Sequence, residues 1–159
     1  MVWQGAYNVA VETAEIMSIG VSSSNGQAKQ MMEVVRAIGN QLIFAAPLEL
    51  SIGNVMRRVL FIIREEYEEE DSRNHSLPQR SMLSESLSMF AIEDEEEEDA
   101  KTYSGSYDIR SSVLDAIRHF IDDLSEIHSS ISQQALEHIH EHEVVLTFGR
   151  SNTVLEFLK

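Results

Sequence analysis

The sequence contains no cysteine, only two prolines, one tryptophan and no long apolar run. Without cysteine there is no disulfide framework, no thiolate zinc site and no cysteine nucleophile. The apolar stretches are short and interrupted, so none is expected to span a bilayer. No basic segment followed by an apolar one opens the chain, so a secretory leader is not expected. No Gly-rich phosphate loop is present. A soluble, intracellular protein is the expectation.

Basic residues are also scarce. Twelve Lys and Arg stand against 27 Asp and Glu, a net charge of −15. The imbalance is local: six acids fall within Glu65–Asp71 and seven within Glu93–Asp99, with no base in either run. Setting those runs aside leaves a balance of about −2. Direct nucleic-acid binding is disfavoured, because no basic patch is available to displace counterions from phosphates. The acidic runs read as solvated, self-repelling stretches.

What is present is helical periodicity. With 159 residues, 43% of them hydrophobic, the chain suits one domain, or one domain with an insert. Ala6, Val9, Ala10, Ala14 and Met17 predict a first helix over Ala6–Ile19, ended by Gly20. A Ser/Asn/Gly loop, Ser22–Gly26, follows. Ala28, Met31, Val35, Ile38, Leu42 and Ala45 form the stripe of a second helix, which Gly39 weakens by up to about 1 kcal/mol relative to alanine. Pro47 breaks the chain or opens the next helix, where its missing N–H costs nothing. The third helix is expected from Leu48 to Tyr67, on a stripe of Leu48, Ile52, Val55, Val59 and Ile62 or Ile63.

From Glu68 to Ser106 the pattern dissolves into acids, serines and Pro78. Apolar density there is too low to offset ordering entropy, so a disordered insert is expected, with at most a transient turn at Leu83, Leu87 and Phe90. Periodicity returns with Ile109, Val113, Ile117, Phe120, Leu124, Ile127, Ile131, Ala135 and Ile139, about eight turns of one helix. Ser112 and Asp115 resemble a capping box just inside its start. Val144–Phe148 reads as a short β-strand, closed by Gly149, and Ser151 is placed to cap a last helix, Asn152–Leu158. The expected fold is mainly α: a helical bundle with one C-terminal strand and a short helix that begin a truncated Rossmann-like domain. The corresponding division is 1–67 and 107–142 for the helical domain, 68–106 for the insert, and 143–159 for the start of the α/β domain.

Chemical signals are weak. His138 and His142 share a face if the helix continues through them, but the metalloprotease order is absent and no third ligand is apparent. Favourable interaction of histidines with a helix C-terminus explains them better, and no metal or cofactor is expected. Met17, Met31 and Met32, at helical spacing, read as core filling. Asp122 with Asp123 reads as a solvated face, and the Gly149–Ser151 turn is a weak anion signal. No catalytic residue is singled out. Asp115, Arg118, His119 and Asp122 avoid the apolar stripe of the long helix and are candidates to face a protein partner. Asn54, Arg57 and Arg58 are off the stripe of the third helix, where paired arginines suit carboxylates, either within the domain or on a partner.

Two stretches are more specific: Pro47–Tyr67, with Gly53-Asn54, Arg57-Arg58-Val59-Leu60 and Ile63-Arg64-Glu65-Glu66, and Gln134–Gly149, with Glu137-His138-Ile139-His140, continued by Ser151, Thr153-Val154 and Phe157-Leu158. They resemble the regulatory subunits of eukaryotic translation initiation factor 2B, the beta type over alpha and delta. The resemblance spans about Asn8–Tyr67 and Ile109–Lys159. It implies an N-terminal helical domain and a Rossmann-like α/β domain related to sugar-phosphate isomerases, without isomerase activity. It further implies a cytosolic, non-catalytic regulatory subunit of a decameric guanine nucleotide exchange factor with alpha, gamma, delta and epsilon subunits. The helical domains would grip the alpha subunit of initiation factor 2 and sense its phosphorylation. His140 and Glu143 would lie toward a subunit interface. The family's first helix is shortened before Tyr7, its α/β domain stops at Lys159, and His142 stands where many relatives carry Asn. An isomerase-related fragment and a scaffold that binds sister subunits only are the rival readings.

Overall fold

The computed structural model describes residues 5–74, 107–149 and 151–159. Five helices follow one another: α1 (Ala6–Ser22), α2 (Ala28–Ala45), α3 (Leu50–Asn74), α4 (Arg110–His138) and α5 (Asn152–Phe157). Helices α1 and α3 pack on each other, and each also packs on α2 and α4. The short α1–α2 and α2–α3 connections make neighbours antiparallel. Along α4 and α3, Tyr107 meets Asp71 while the later Asp115 acts on the earlier Glu66, so this pair is antiparallel too. The result is an up-down-up-down bundle.

The core is the set of stripes read from the sequence. Ala14, Met17 and Val21 of α1 meet Met31, Met32 and Val35 of α2, Val59 and Ile63 of α3, and Val113 and Ile117 of α4, all fully buried. Thr13 is buried among them because its hydroxyl donates to the Val9 carbonyl at 2.6 Å, leaving no unmet polar group. Gly20 does not end α1, which continues to Ser22 with Gly20 buried inside it. Gly39 has a packing reason: a Cβ there would strike the Met56 sulfur of α3 and lie 2.8 Å from its Cγ. The helix-propensity cost of this glycine is what allows α2 and α3 to approach closely.

Both ends of α3 and the cap of α4 also differ from the sequence reading. Helix α3 begins at Leu50, so Leu48 belongs to the connection and is 92% exposed. Its other end reaches Asn74, through seven residues assigned to the insert. There Arg73 pairs with Glu69 and Glu70, and Asn74 donates to the Glu70 carbonyl, so local pairing offsets the charge of the acidic run. Residues 75–106, with Leu83, Leu87, Phe90 and the second acidic run, lie outside the described residues. At α4 the expected capping box is not formed: Ile109 is the N-cap, no side chain caps it, and Asp115 turns to Arg118 instead.

Only the first turns of α4 are fully buried. Ile109, Val113 and Ile117 sit in the core, whereas Ile127, further along the helix, is 41% exposed. Its far half carries α5, joined by the Ser132 hydroxyl donating to the Glu156 carbonyl at 2.8 Å. Ser151 caps α5 as expected, accepting from Val154 N at 3.4 Å. Among the described residues there is no β-strand. Val144–Phe148 has no ladder partner, and Val144, Leu146 and Phe148 are almost wholly exposed.

Candidate protein-docking site

The end of the bundle where α4 begins is locked by contacts distant in sequence. Gly26, in the α1–α2 loop, has φ +86° and accepts at its carbonyl from Ile109 N at 3.1 Å. The Arg110 guanidinium donates to the Ser24 carbonyl and, at 3.1 Å, to the Asp108 carboxylate. Asp108 also accepts from Arg110 N, and these two contacts hold its carboxyl below the usual carboxylate range. Beside this lock the Tyr107 ring stands 6.0 Å from that of Tyr67, and its hydroxyl donates to Asp71. Burial, then the charge of Asp71, pushes the Tyr107 phenol up.

That lock sets the rotation of α4, and so which side chains face out. Asp115, Arg118, His119 and Asp122 are all exposed on one face, as their spacing requires. Arg118 is paired with Asp115 at 2.6 Å, with the two side chains 70% and 65% exposed. A pair this open adds little stability and can be exchanged for a partner's charges. The Asp122 backbone carbonyl accepts from Ser125, leaving its carboxylate toward solvent.

On α3, Asn54, Arg57 and Arg58 are exposed as well. Arg57 donates to the Asn54 amide oxygen at 3.4 Å, and the Arg58 guanidinium lies 5.2 Å above the Phe61 ring. Among the described residues no ion pair or hydrogen bond joins this group to the α4 group. What does reach across is electrostatic: Asp115 acts on Glu66 of α3. A shallow open groove along the same stretch of α3 is lined by Glu65, Glu68, Glu69, Ser72 and Arg73.

Glu66 provides a test of that neighbourhood. Partial burial, then the like charge of Glu69 and, more weakly, Asp115 push its carboxyl up, against the opposing Arg73. A carboxyl harder to ionise folded than unfolded favours the fold while protonated. That contribution is present below its ordinary value of 4.5 and is lost as pH rises through the raised folded value. Glu66→Gln is therefore expected to raise the thermal midpoint at neutral pH and to leave it unchanged in acid below 4.5, as read by circular dichroism.

His140 and Glu143 form a tight turn after α4. Glu143 accepts from His140 N at 3.2 Å, lies 3.5 Å from its Nδ1, and donates from its own N–H to the His140 carbonyl. His142 sits in that turn at φ +71°, a conformation Asn and Gly adopt more easily. Since α4 ends at His138, His138 and His142 do not share a helical face. Among the described residues no three metal-binding side chains converge, and no helix is long and apolar enough to cross a membrane.

Sequence reasoning did not find the Gly26–Asp108–Arg110 lock. The Asn25-Gly26 pair marks a turn, but nothing local links it to a residue more than eighty positions away.

Comparison with known proteins matches this architecture along its whole length. Residues 2–159 match the model of the "Initiation factor 2 subunit family". The translation initiation factor eIF2B subunit beta of Schizosaccharomyces pombe is 31% identical over 194 residues, covering 98% of this chain and 49% of the relative. The Dictyostelium discoideum eIF2B subunit beta is also 31% identical, covering 98% and 48%. The crystal structure of eIF2B beta from Chaetomium thermophilum superposes with a TM-score of 0.69 at 27% identity, covering 98% of this chain and 44% of that one. The chain thus spans about half the length of the relatives it matches. With the bundle and the whole-length match in agreement, this chain belongs to the initiation factor 2 subunit family.

Proposed function

We propose that this chain is a beta-type regulatory subunit of the guanine nucleotide exchange factor for translation initiation factor 2, working in the cytosol and making or breaking no bond itself. The observation that carries the reading is the whole-length similarity to beta subunits. It works with delta, alpha, gamma and epsilon sister subunits, and residues 143–159 serve as the start of an α/β domain. His140 and Glu143 lie at a subunit interface. Its partner beyond the assembly is the alpha subunit of initiation factor 2.

The exposed face Asp115–Arg118–His119–Asp122 of α4, with Asn54, Arg57 and Arg58 of α3, is the surface offered to that partner. Discrimination is electrostatic. A phosphoryl group adds roughly −1.5 to −2 charge and needs donors to be accommodated. The α4 face supplies two carboxylates, and the neighbouring end of α3 adds more, so added negative charge on the partner is disfavoured there.

The test is a binding titration of purified initiation factor 2 alpha subunit, unmodified and phosphorylated, against the assembled exchange factor. Wild type is compared with Arg118→Glu combined with Asp122→Lys. The variant is expected to weaken binding of the unmodified partner about tenfold, which is 1.4 kcal/mol, because it reverses the pattern of charge on the face while keeping its net charge, with sister subunits retained. Unchanged affinity for the unmodified partner would sink the assignment of this face.

A further inference from the structure

Three large apolar side chains at the α2–α3 connection stand in water: Phe44 is 90% exposed, Leu48 92% and Leu50 78%. They are not on a loose loop. Ala46 N donates to the Leu42 carbonyl, Glu49 N to Ala46 at 3.1 Å, and Ile52 N to Glu49 at 3.2 Å, so the connection is hydrogen-bonded into both helices. An apolar cluster held rigidly in the open is a feature that folding alone does not require.

The cluster continues into a basic strip. Leu50, Asn54, Arg57, Arg58 and Phe61 follow one another at helical spacing along the outer side of α3. A Cβ built at Gly53 lies 3.4 Å from the Arg57 guanidinium and 3.9 Å from Ile43, so the start of this strip lies against the end of α2 that carries Phe44. Arg73, Arg110, Arg118 and Lys159 each pair with a carboxylate. Among the described residues Arg57 has only the Asn54 amide, and Arg58 only the Phe61 ring. Between Phe44 and Phe61 the sole carboxylate is Glu49. On a chain of net charge −15 this is a locally basic face with an apolar end.

We infer that this face is a docking surface for an acidic amphipathic segment of a separate protein, whose apolar residues seat on Phe44, Leu48 and Leu50 and whose carboxylates engage Arg57 and Arg58. Aromatic and arginine side chains are the residues that carry binding energy at such surfaces, and guanidinium–carboxylate pairing supplies direction. Symmetric pairing of two copies would set arginine against arginine. A membrane offers apolar and anionic groups together, but the net charge of the whole chain opposes approach to an anionic surface. The inference rests on the proposed partner-binding role of Arg57 and Arg58 and adds the apolar half of the surface and the chemistry of its occupant.

A labelled synthetic helical peptide with leucines on one face and glutamates elsewhere is the probe, alongside the same peptide with lysine at every glutamate position. Fluorescence anisotropy on the full chain is expected to show binding of the acidic peptide only. Affinity is expected to fall about tenfold for Phe44→Ser with Leu48→Ser, and similarly for Arg57→Glu with Arg58→Glu, which gains the lysine peptide. All four residues lie outside the core, so thermal midpoints are expected to match wild type. Equal binding of both peptides, equal affinity of all chains, sedimentation with phosphatidylserine vesicles, or dimerisation abolished by the Phe44 and Leu48 changes would each overturn the inference. Neither Phe44 nor Leu48 touches the α4 face, so failure here leaves the titration of the Arg118 and Asp122 variant to stand or fall by itself.

Discussion

Alanine at Gly26 is expected to lower the unfolding free energy by about 2–4 kcal/mol, the sum of a backbone cost and a steric one. The backbone cost follows from φ +86°, where an L side chain crowds its own carbonyl. The steric cost follows from Asp108, whose carboxylate occupies the space a Cβ would need. That carboxylate cannot simply swing away, because Arg110 holds it through both its backbone N–H and its guanidinium. Relief therefore means loosening the junction between the α1–α2 loop and the start of α4. Gly149 is the control: its φ is +74°, but nothing lies within 4 Å of a Cβ there. Gly149→Ala should show a smaller loss, the backbone part alone. Urea unfolding midpoints of the two variants separate the contributions, and equal losses would mean that Asp108 plays no part.

The helices were legible because period and burial coincide. Met17, Val35, Val59, Val113 and Ile117 were placed on core stripes by spacing alone, and all five are fully buried. The errors arise where two readings of a residue compete. Leu48 fits the α3 stripe by count, but the chain turns at Pro47 and starts the helix only at Leu50, which leaves the Leu48 side chain in water. Glu68–Asp71 look unable to form structure as a block of like charge. They are helical because Arg73 and Asn74 follow close enough to bond back onto the same turns. Val144–Phe148 carries strand propensity, but a strand needs a neighbour, and among the described residues it has none.

Legibility of the candidate surfaces divides along the same line. Exposure of Asp115, Arg118, His119 and Asp122 could be read from the stripe they avoid. The Arg118–Asp115 pair is a contact within one helix and follows from spacing. The lock at the start of their helix could not be read, since it joins the Gly26 and Ser24 carbonyls to Ile109 N and the Arg110 side chain, more than eighty positions away. Nor could the apolar cluster at Phe44 and Leu50, because assigning Leu48 to the core removed it from the surface.

The presentation of the α4 face depends on Ile117, and aspartate at that position is expected to be the most damaging single change in the bundle. Ile117 is fully buried, on the helix that packs against both α1 and α3. A carboxylate there loses the packing of the isoleucine, worth about 2–5 kcal/mol for truncation alone, and must also be desolvated without a partner. Against a total stability of about 5–15 kcal/mol for a typical domain, the sum is enough to release α4 from α1 and α3. Burial would push the new carboxyl up, so the damage should be greatest at neutral pH and ease as acid protonates it. Ile127→Asp provides the contrast. It lies on the same stripe but further along α4, 41% exposed, so its carboxylate stays solvated and the cost should fall below about 1 kcal/mol. Thermal unfolding followed across pH, with limited proteolysis of α4, distinguishes the two. Loss of the cooperative transition in Ile117→Asp with near-normal behaviour in Ile127→Asp is the expected pair of results. Equal tolerance at both sites would mean that α4 is not held by the bundle, and that its charged face has no fixed orientation from which to meet a partner.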